Sequence, residues 1–131
     1  MNNLTKIRYV INEDKRTVVA IMEHCGKDAW DIFTHDFEAE GVDVLRLFLN
    51  IKNYLKDTYR AKAKCSLDDE WDVEIGKKIA REKMLAKYYR DLAKTMENYI
   101  NIAHNIMMRF DTRWRETAER YEKYKIHDCK S

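Results

Sequence analysis

The chain has 131 residues, of which 45% are hydrophobic and 37% are charged, with no proline and only three glycines. This length suits a single domain with a core of its own, here 1–131, and the apolar content excludes a disordered chain. The formal net charge of +2 selects neither nucleic acid nor membrane, so the segregation of charge along the chain carries the information.

Cysteine usage and hydropathy bear on the compartment. The three cysteines, Cys25, Cys65 and Cys129, are odd in number and form no paired motif, which favours a reducing environment. No apolar run approaches the roughly 18 residues of a membrane span, and the first residues lack the apolar core of a signal peptide. We therefore expect a cytoplasmic protein.

Residues 4–23 predict a β-hairpin. Apolar side chains alternate there with Lys6 and Arg8, which is the period of a strand. The polar residues 12–16 suit a turn, and the β-branched run 17–22 returns the chain.

Residues 28–57 predict a helical insertion. Trp30, Phe33 and Phe37 recur at helical spacing, and Asp28 is a candidate N-cap. A second helical stripe follows, formed by Val44, Phe48, Ile51 and Leu55.

The same insertion is strongly acidic, since no Lys or Arg occurs between 28 and 45. We consider three roles for it: mimicry of a nucleic-acid backbone towards a basic partner protein, docking on the basic helix of this chain, or a solvated surface. The candidate protein-binding residues are Asp28, Asp31, Asp36, Glu38, Glu40 and Asp43.

Residues 58–65 give the clearest strand pattern in the chain. Small or apolar residues alternate with Arg60, Lys62 and Lys64. Paired with the hairpin, this strand makes a sheet of about three strands, which is near the minimum for an independently stable sheet. If the strands are neighbours, Lys6 and Arg8 share a face with these three cations. Such a face is either exposed to water without a ligand or binds an anionic partner.

Helical periodicity then runs over 69–125, with a tail at 126–131. The sequence Ser66-x-x-Asp69 matches a capping box, and Asp72 is a second candidate cap. The expected apolar face is Ile75, Ile79, Leu85, Tyr89, Leu92, Met96, Ile100, Ala103, Met107, Phe110, Trp114 and Tyr121. Because a single helix of this length exceeds the size of a compact domain, we expect a break near 109–112 or self-association.

The first turns of this helical segment are rich in cations. Lys83, Lys87, Arg90 and Lys94 fall at spacings of four, three and four, hence on one face. This row fits a phosphate backbone, and it equally fits a solvated face or a partner for the chain's own acidic segment.

Catalytic and metal motifs are missing from the sequence. There is no phosphate-binding glycine loop, no nucleophile elbow and no Cys-x-x-Cys pair. We therefore expect no enzyme activity, no metal site and no cofactor.

The junction 63–80 resembles one in small proteins of phages and mobile elements of Gram-positive bacteria. The shared pattern is Lys64-Cys65-x-x-x-Asp69-Glu70-Trp71-Asp72, then Gly76-x-x-Ile79-Ala80, after a hairpin. The resemblance implies a common scaffold, a prophage-like origin and hence the cytoplasm of a bacterial host cell as the location, and it supplies no catalytic residue. Small proteins of such origin include inhibitors of host defence, among them anti-CRISPR proteins.

Together these features predict an α+β fold: a small antiparallel sheet packed on a long C-terminal helical segment, continuous or broken into a helical hairpin. The leading functional hypothesis is a non-enzymatic protein that inhibits or adapts a host nucleoprotein, such as a CRISPR nuclease, through charged surfaces. One alternative is a nucleic-acid-binding protein that uses Lys83, Lys87, Arg90, Lys94 and the cations of 58–65. The other is a structural helical oligomer joined through 96–121.

Overall fold

The computed structural model describes residues 6–40 and 53–130, with side chains described as far as Lys125. The predicted α+β class is confirmed: a three-stranded antiparallel sheet packs on a long C-terminal helix. The predicted stripe at Val44, Phe48 and Ile51 lies outside the described residues. Its last member, Leu55, is buried in an irregular segment. None of the described helices is long and apolar enough to cross a membrane.

The hairpin consists of β1 (Arg8–Asn12) and β2 (Thr17–Met22). The side chain of Asn12 closes the turn by accepting a hydrogen bond from the Lys15 amide at 3.1 Å, an Asx turn of the kind that favours Asn. Arg16 completes the turn with a positive φ of 50°, which is uncommon for a residue with a side chain.

The third strand, β3 (Tyr59–Lys64), pairs antiparallel with β2, so β2 is central and the order is β1-β2-β3. Its inward residues face those of β2 in register: Tyr59 opposite Met22, Ala61 opposite Ala20, and Ala63 opposite Val18. All six of these side chains are buried. Because side chains alternate along a strand, Arg60, Lys62 and Lys64 project from the opposite face.

Helix α1 (Asp28–Ala39) follows the hairpin and buries Ala29. The segment after residue 52 is attached to the core by hydrogen bonds. The Cys25 amide donates to the Asp57 carbonyl at 2.9 Å, and the Tyr54 amide donates to Thr95 Oγ1 at 2.9 Å. These bonds satisfy polar groups that burial would otherwise leave unpaired.

Helix α2 runs from Val73 to Lys130. The predicted capping box at Ser66 is wrong, because the Ser66 Oγ accepts instead from the Asp68 amide in a turn. The second candidate, Asp72, caps the helix: its Oδ1 accepts from the amides of Glu74 and Ile75 at 3.0 and 3.3 Å.

Two further expectations for α2 are wrong. The helix continues through 109–112 without a break and includes residues 126–130, which were expected to form a tail. Its polar residues there do not stop it, since none is a proline or glycine and helix propensities differ only modestly among the others.

The chain divides into two compact units, Met1–Met96 and Glu97–Ser131. In the first unit, α2 covers the inner face of the sheet. The helix contributes Ala80, Met84, Tyr88 and Leu92 to the hydrophobic core, with Gly76 at the closest approach. The face predicted from apolarity is therefore partly wrong, since Ile75 and Ile79 are 56% and 41% exposed.

The Tyr88 side chain is the largest fully buried one. Its ring meets that of Tyr59 edge to face, with centroids 5.6 Å apart, a favoured arrangement for aromatic pairs. The contact joins the helix to Tyr59, the first residue of β3.

We predict that Gly76→Ala destabilises the protein. A Cβ at residue 76 would lie 2.8 Å from Val18 Cγ2, and overpacking of this kind costs about 1–3 kcal/mol. That cost exceeds the gain of about 1 kcal/mol from the better helix propensity of alanine. Urea denaturation measures the difference in the free energy of unfolding.

Gly26→Ala is the matched control, because a Cβ there meets nothing closer than 3.6 Å. In a Val18→Ala background, which removes the clashing methyl groups, Gly76→Ala should become neutral or stabilising. An equal loss in both backgrounds would contradict the proposed contact.

Candidate functional site

Three cations project from the outer face of β3. Arg60, Lys62 and Lys64 are exposed and alternate with the buried inward side chains of the same strand. Among the described strands, β3 lies at an edge of the sheet. One side of its backbone therefore has no strand partner, and the three cations lie beside this open edge.

Two lysines of α2 reach the same edge. The Lys83 Nζ donates to the Lys62 carbonyl at 3.4 Å, and the Lys87 Nζ donates to the Arg60 carbonyl at 3.2 Å. Residues at i and i+4 lie one above the other on a helix, as do the side chains of alternate strand residues along β3. Lys83 and Lys87 therefore lie along the open edge of β3.

We call this surface the basic edge: Arg60, Lys62, Lys64, Lys83 and Lys87. All five residues are exposed. In the part of the chain that the structure describes, none of them forms a salt bridge with a carboxylate. The structure therefore places on one surface five of the seven residues that were predicted to bind nucleic acid.

The other two predicted cations are engaged elsewhere. Arg90 Nε forms an ion pair with Asp91 Oδ1 at 3.2 Å. The Lys94 Nζ lies 5.7 Å from the centroid of the Tyr54 ring, a cation–π distance. The spacing of four, three and four therefore does not give four equivalent cations.

The remaining cations of the hairpin add less to the basic edge. Arg8 lies on the same sheet face as Arg60, with Ile21 between them in the register. It forms a 2.7 Å salt bridge with Glu23, which holds the pKa of that carboxyl below its usual value. Lys6 precedes β1. The predicted face of five strand cations therefore contains one that is already ion-paired.

The outer face of the sheet is apolar at its centre. Val10 is 47% exposed and Val19 stands opposite it in the register. No strand residue on this face, among those described, is aromatic. The surface can contact phosphate groups, but its strands offer no ring on which a base could stack.

The acidic residues of the insertion fall into three groups. Asp28 is used by the fold, because its Oδ2 accepts a hydrogen bond from the Tyr88 hydroxyl at 2.5 Å. It begins α1 but makes no side-chain cap, contrary to expectation. Asp31, Asp36, Glu38 and Glu40 are exposed, and Asp43 lies outside the described residues.

A buried polar cluster lies where the first residue of β3 meets α2. The Tyr59 hydroxyl donates to Asp91 Oδ2 at 2.6 Å. Burial, followed by this hydrogen bond, raises the pKa of Tyr59 to about 12. Burial opposes ionisation of Asp91, but the bonds from Tyr59 and Arg90 outweigh it and lower the pKa of the carboxyl. Asp91 therefore links the buried cluster to Arg90, whose side chain is itself 64% exposed.

Arg16 organises the loop after β3 and had no role in the sequence prediction. Its guanidinium Nη1 donates to the carbonyls of Ser66, Leu67 and Asp69 at 3.3, 3.4 and 2.7 Å. The Cys65 amide returns a bond to the Arg16 carbonyl at 2.9 Å. One side chain thus satisfies three carbonyls of a turn, which no motif in the sequence signals.

A cavity of about 290 Å³ opens beside the end of the basic edge. It lies between this loop and the start of α2, and Lys64, Cys65, Trp71, Ile75 and Ile79 are among its lining residues. The buried Trp71 Nε1 has no hydrogen-bond partner within the described structure. No group of three or more His, Cys, Asp or Glu side chains in the described ranges is placed to hold a metal ion.

Comparisons with protein-family models, with curated proteins and with solved structures each found no match.

We predict that stability falls steeply above pH 9. Burial raises the pKa of the Cys25 thiol from 9.0 to about 11, and that of Tyr59 from 10.0 to about 12. The unfolded chain therefore loses these protons first, so stability is complete below pH 9 and is lost between pH 9 and 12. Each group contributes on the order of 3 kcal/mol at about 1.4 kcal/mol per pKa unit.

Urea titrations at pH 7, 9, 10 and 11 give this profile. Cys25→Ala should lower stability at pH 7 and flatten the decline that begins near pH 9. A wild-type free energy of unfolding that stays constant to pH 11 would show that these groups are not buried as described.

Proposed function

We propose that this chain is a non-catalytic protein that binds a nucleoprotein, with the basic edge as its contact to phosphate groups. The observation that carries this proposal is the convergence of Lys83 and Lys87 on the β3 edge beside Arg60, Lys62 and Lys64. A strand and the helix that follows it in the chain together supply one positively charged surface.

The spacing of the two rows suits a phosphate chain. Alternate residues of a strand recur about every 6.8 Å, and residues at i and i+4 of a helix about every 6 Å. The 3.4 Å spacing of charges on one strand of DNA is measured along the duplex axis, and neighbouring phosphates are farther apart along the chain itself. Each row can therefore place its cations beside successive phosphates of one strand.

The electrostatics of the free protein support an anionic ligand. Like charges side by side on a sheet are destabilising, and the described carboxylates form no salt bridges with these five side chains. An incoming phosphate removes that repulsion and accepts charge-assisted hydrogen bonds. Because the outer strand face presents no aromatic ring, the contact would read charge and shape rather than base sequence.

A second candidate contact is the exposed acidic surface of α1. Asp31, Asp36, Glu38 and Glu40 are exposed, and the last turn of the helix holds no basic residue. This surface fits a basic protein patch, such as one that normally binds nucleic acid. A protein with both surfaces could engage the nucleic acid and the protein of one complex.

That pairing fits an inhibitor or adaptor carried by a phage or mobile element and directed at a host nucleoprotein, a CRISPR nuclease being one such target. The support is the resemblance of the junction 63–80 together with the two charged surfaces.

The test is binding of a fluorescent single-stranded oligonucleotide at several salt concentrations. Each phosphate neutralised contributes about 0.7 to the slope of log affinity against log salt for a single strand. Five cations therefore predict a slope of about −3.5. Lys83→Glu/Lys87→Glu should weaken binding for every sequence and reduce the slope by about 1.4.

Arg109→Glu/Lys123→Glu is the matched control, since it makes the same change in net charge at exposed residues of the same helix. It should retain most of the affinity. If the wild-type protein retains no oligonucleotide at about 50 mM salt, or if both variants weaken binding equally, the phosphate contact is refuted.

A further inference from the structure

The exposed apolar residues of the second unit follow a seven-residue repeat. Ile100, Met107, Trp114 and Tyr121 recur every seven residues and are 64%, 57%, 67% and 63% exposed. A second row begins three residues later with Ala103, and its members Phe110 and Tyr124 are 62% and 64% exposed. Thr117 completes this second row.

Spacings of three and four that persist over four heptads are the pattern of a coiled-coil seam. A stripe that merely packs on a globular core repeats at 3.6 residues and drifts around the helix. Most residues on the far side of this stretch are polar, among them Arg109, Glu116, Glu119 and Glu122, whereas Ile102 and Met108 are apolar. The repeating stripe therefore suits another helix.

We propose that residues 97–120 pair with the same residues of a second copy as an antiparallel two-stranded coiled coil. This interface is separate from the basic edge and does not depend on the proposed function. The sizes, the charges and the area of the seam residues point to a second copy as the partner.

Side-chain sizes match only when the helices are antiparallel. With the two-fold axis between residues 108 and 109, Trp114 faces Ala103 of the partner and Ile100 faces the partner's Thr117. Met107 faces the partner's Phe110. Every layer then joins a larger with a smaller or more adaptable side chain, as interdigitated packing requires. A parallel pair in register sets Trp114 against Trp114 and Ala103 against Ala103, which overfills one layer and leaves a void in another.

The flanking charges agree with this orientation. In the antiparallel pair, Asp111 of one copy lies nearest His104 of the other, and Asp111 is also ion-paired with Arg115 of its own helix at 3.0 Å. In a parallel pair Arg120 would lie beside the partner's Lys125, and like charges at such flanking positions disfavour pairing. The antiparallel arrangement opposes no two like charges at these flanking sites.

The apolar area suits a weak, concentration-dependent dimer. A fully buried aromatic side chain removes about 150–250 Å² from water. The two aromatic residues within the paired segment, Phe110 and Trp114, are each more than half exposed, as are Ile100 and Met107. Each copy therefore has on the order of 400–500 Å² to bury, which is at the low end for a specific interface.

Light scattering on the full chain across about 5–200 µM tests the association. The expected mass at high concentration is twice the 15.8 kDa of one chain. Trp114→Glu should raise the dimer dissociation constant by roughly 30-fold or more, as for a central aromatic hot spot. Met108→Glu is the control: it changes a residue that is 49% exposed on the same helix but outside the seam, and it should leave the mass unchanged.

Disulfide trapping tests the orientation. Ile100→Cys and Thr117→Cys, each in a Cys65→Ser/Cys129→Ser background, are mixed and oxidised. The antiparallel pair predicts mixed disulfides between residues 100 and 117, whereas disulfides joining each variant to itself would overturn the antiparallel arrangement. A strict monomer at 200 µM, a larger oligomer, or equal effects of Trp114→Glu and Met108→Glu would overturn the dimer.

Discussion

The close approach of α2 to the sheet is the contact on which the other features of the first unit depend. The inner face of the sheet carries Ala20, Ala61 and Ala63, and Gly76 of the helix lies against Val18. Small residues on both sides let the two layers approach closely, so that Met84 and Tyr88 are fully buried. Dense packing of this kind tolerates little added volume.

This approach also fixes what the neighbouring helical positions can reach. With Ala80, Met84 and Tyr88 against the inner face, the adjoining row that contains Lys83 and Lys87 falls over the open edge of β3. Lysines at a free strand edge protect it from pairing with another sheet. The same two side chains place their charge beside Arg60 and Lys62, so one arrangement serves both solubility and the proposed binding of an anion.

Local patterns in the sequence predicted much of this fold. The alternation of 59–64 and the β-branched run 17–22 identified strands of the sheet. The alternation of buried and exposed positions along a strand can be read directly from the order of apolar and polar residues. The buried face of α2 was not identified, since weighting by apolarity selects Ile75 and Ile79. The core instead takes Gly76 and Ala80, because the alanine-lined sheet demands small partners. This requirement for small residues comes from tertiary packing and cannot be read from the sequence of the helix alone.

The candidate site was also predicted only in part. The cations of the strand and of the helix were evident from spacing, but which of them meet depends on the register between β3 and α2. The sequence does not distinguish Arg90 from Lys87; the structure does, because Arg90 forms an ion pair with Asp91, which also accepts a hydrogen bond from Tyr59. The clamp made by Arg16 depends on a positive φ and on a loop some fifty residues away, so no local signal encodes it.

The central claim is that residues from two separate elements form one binding surface. Amine-reactive labelling, followed by mass spectrometry, tests it most directly when done with and without a bound single-stranded oligonucleotide. The ligand should protect Lys62, Lys64, Lys83 and Lys87 together, and leave Lys123 and Lys125 as reactive as before. Protection of the strand lysines without the helix lysines, or of neither set, would contradict the existence of a single basic edge.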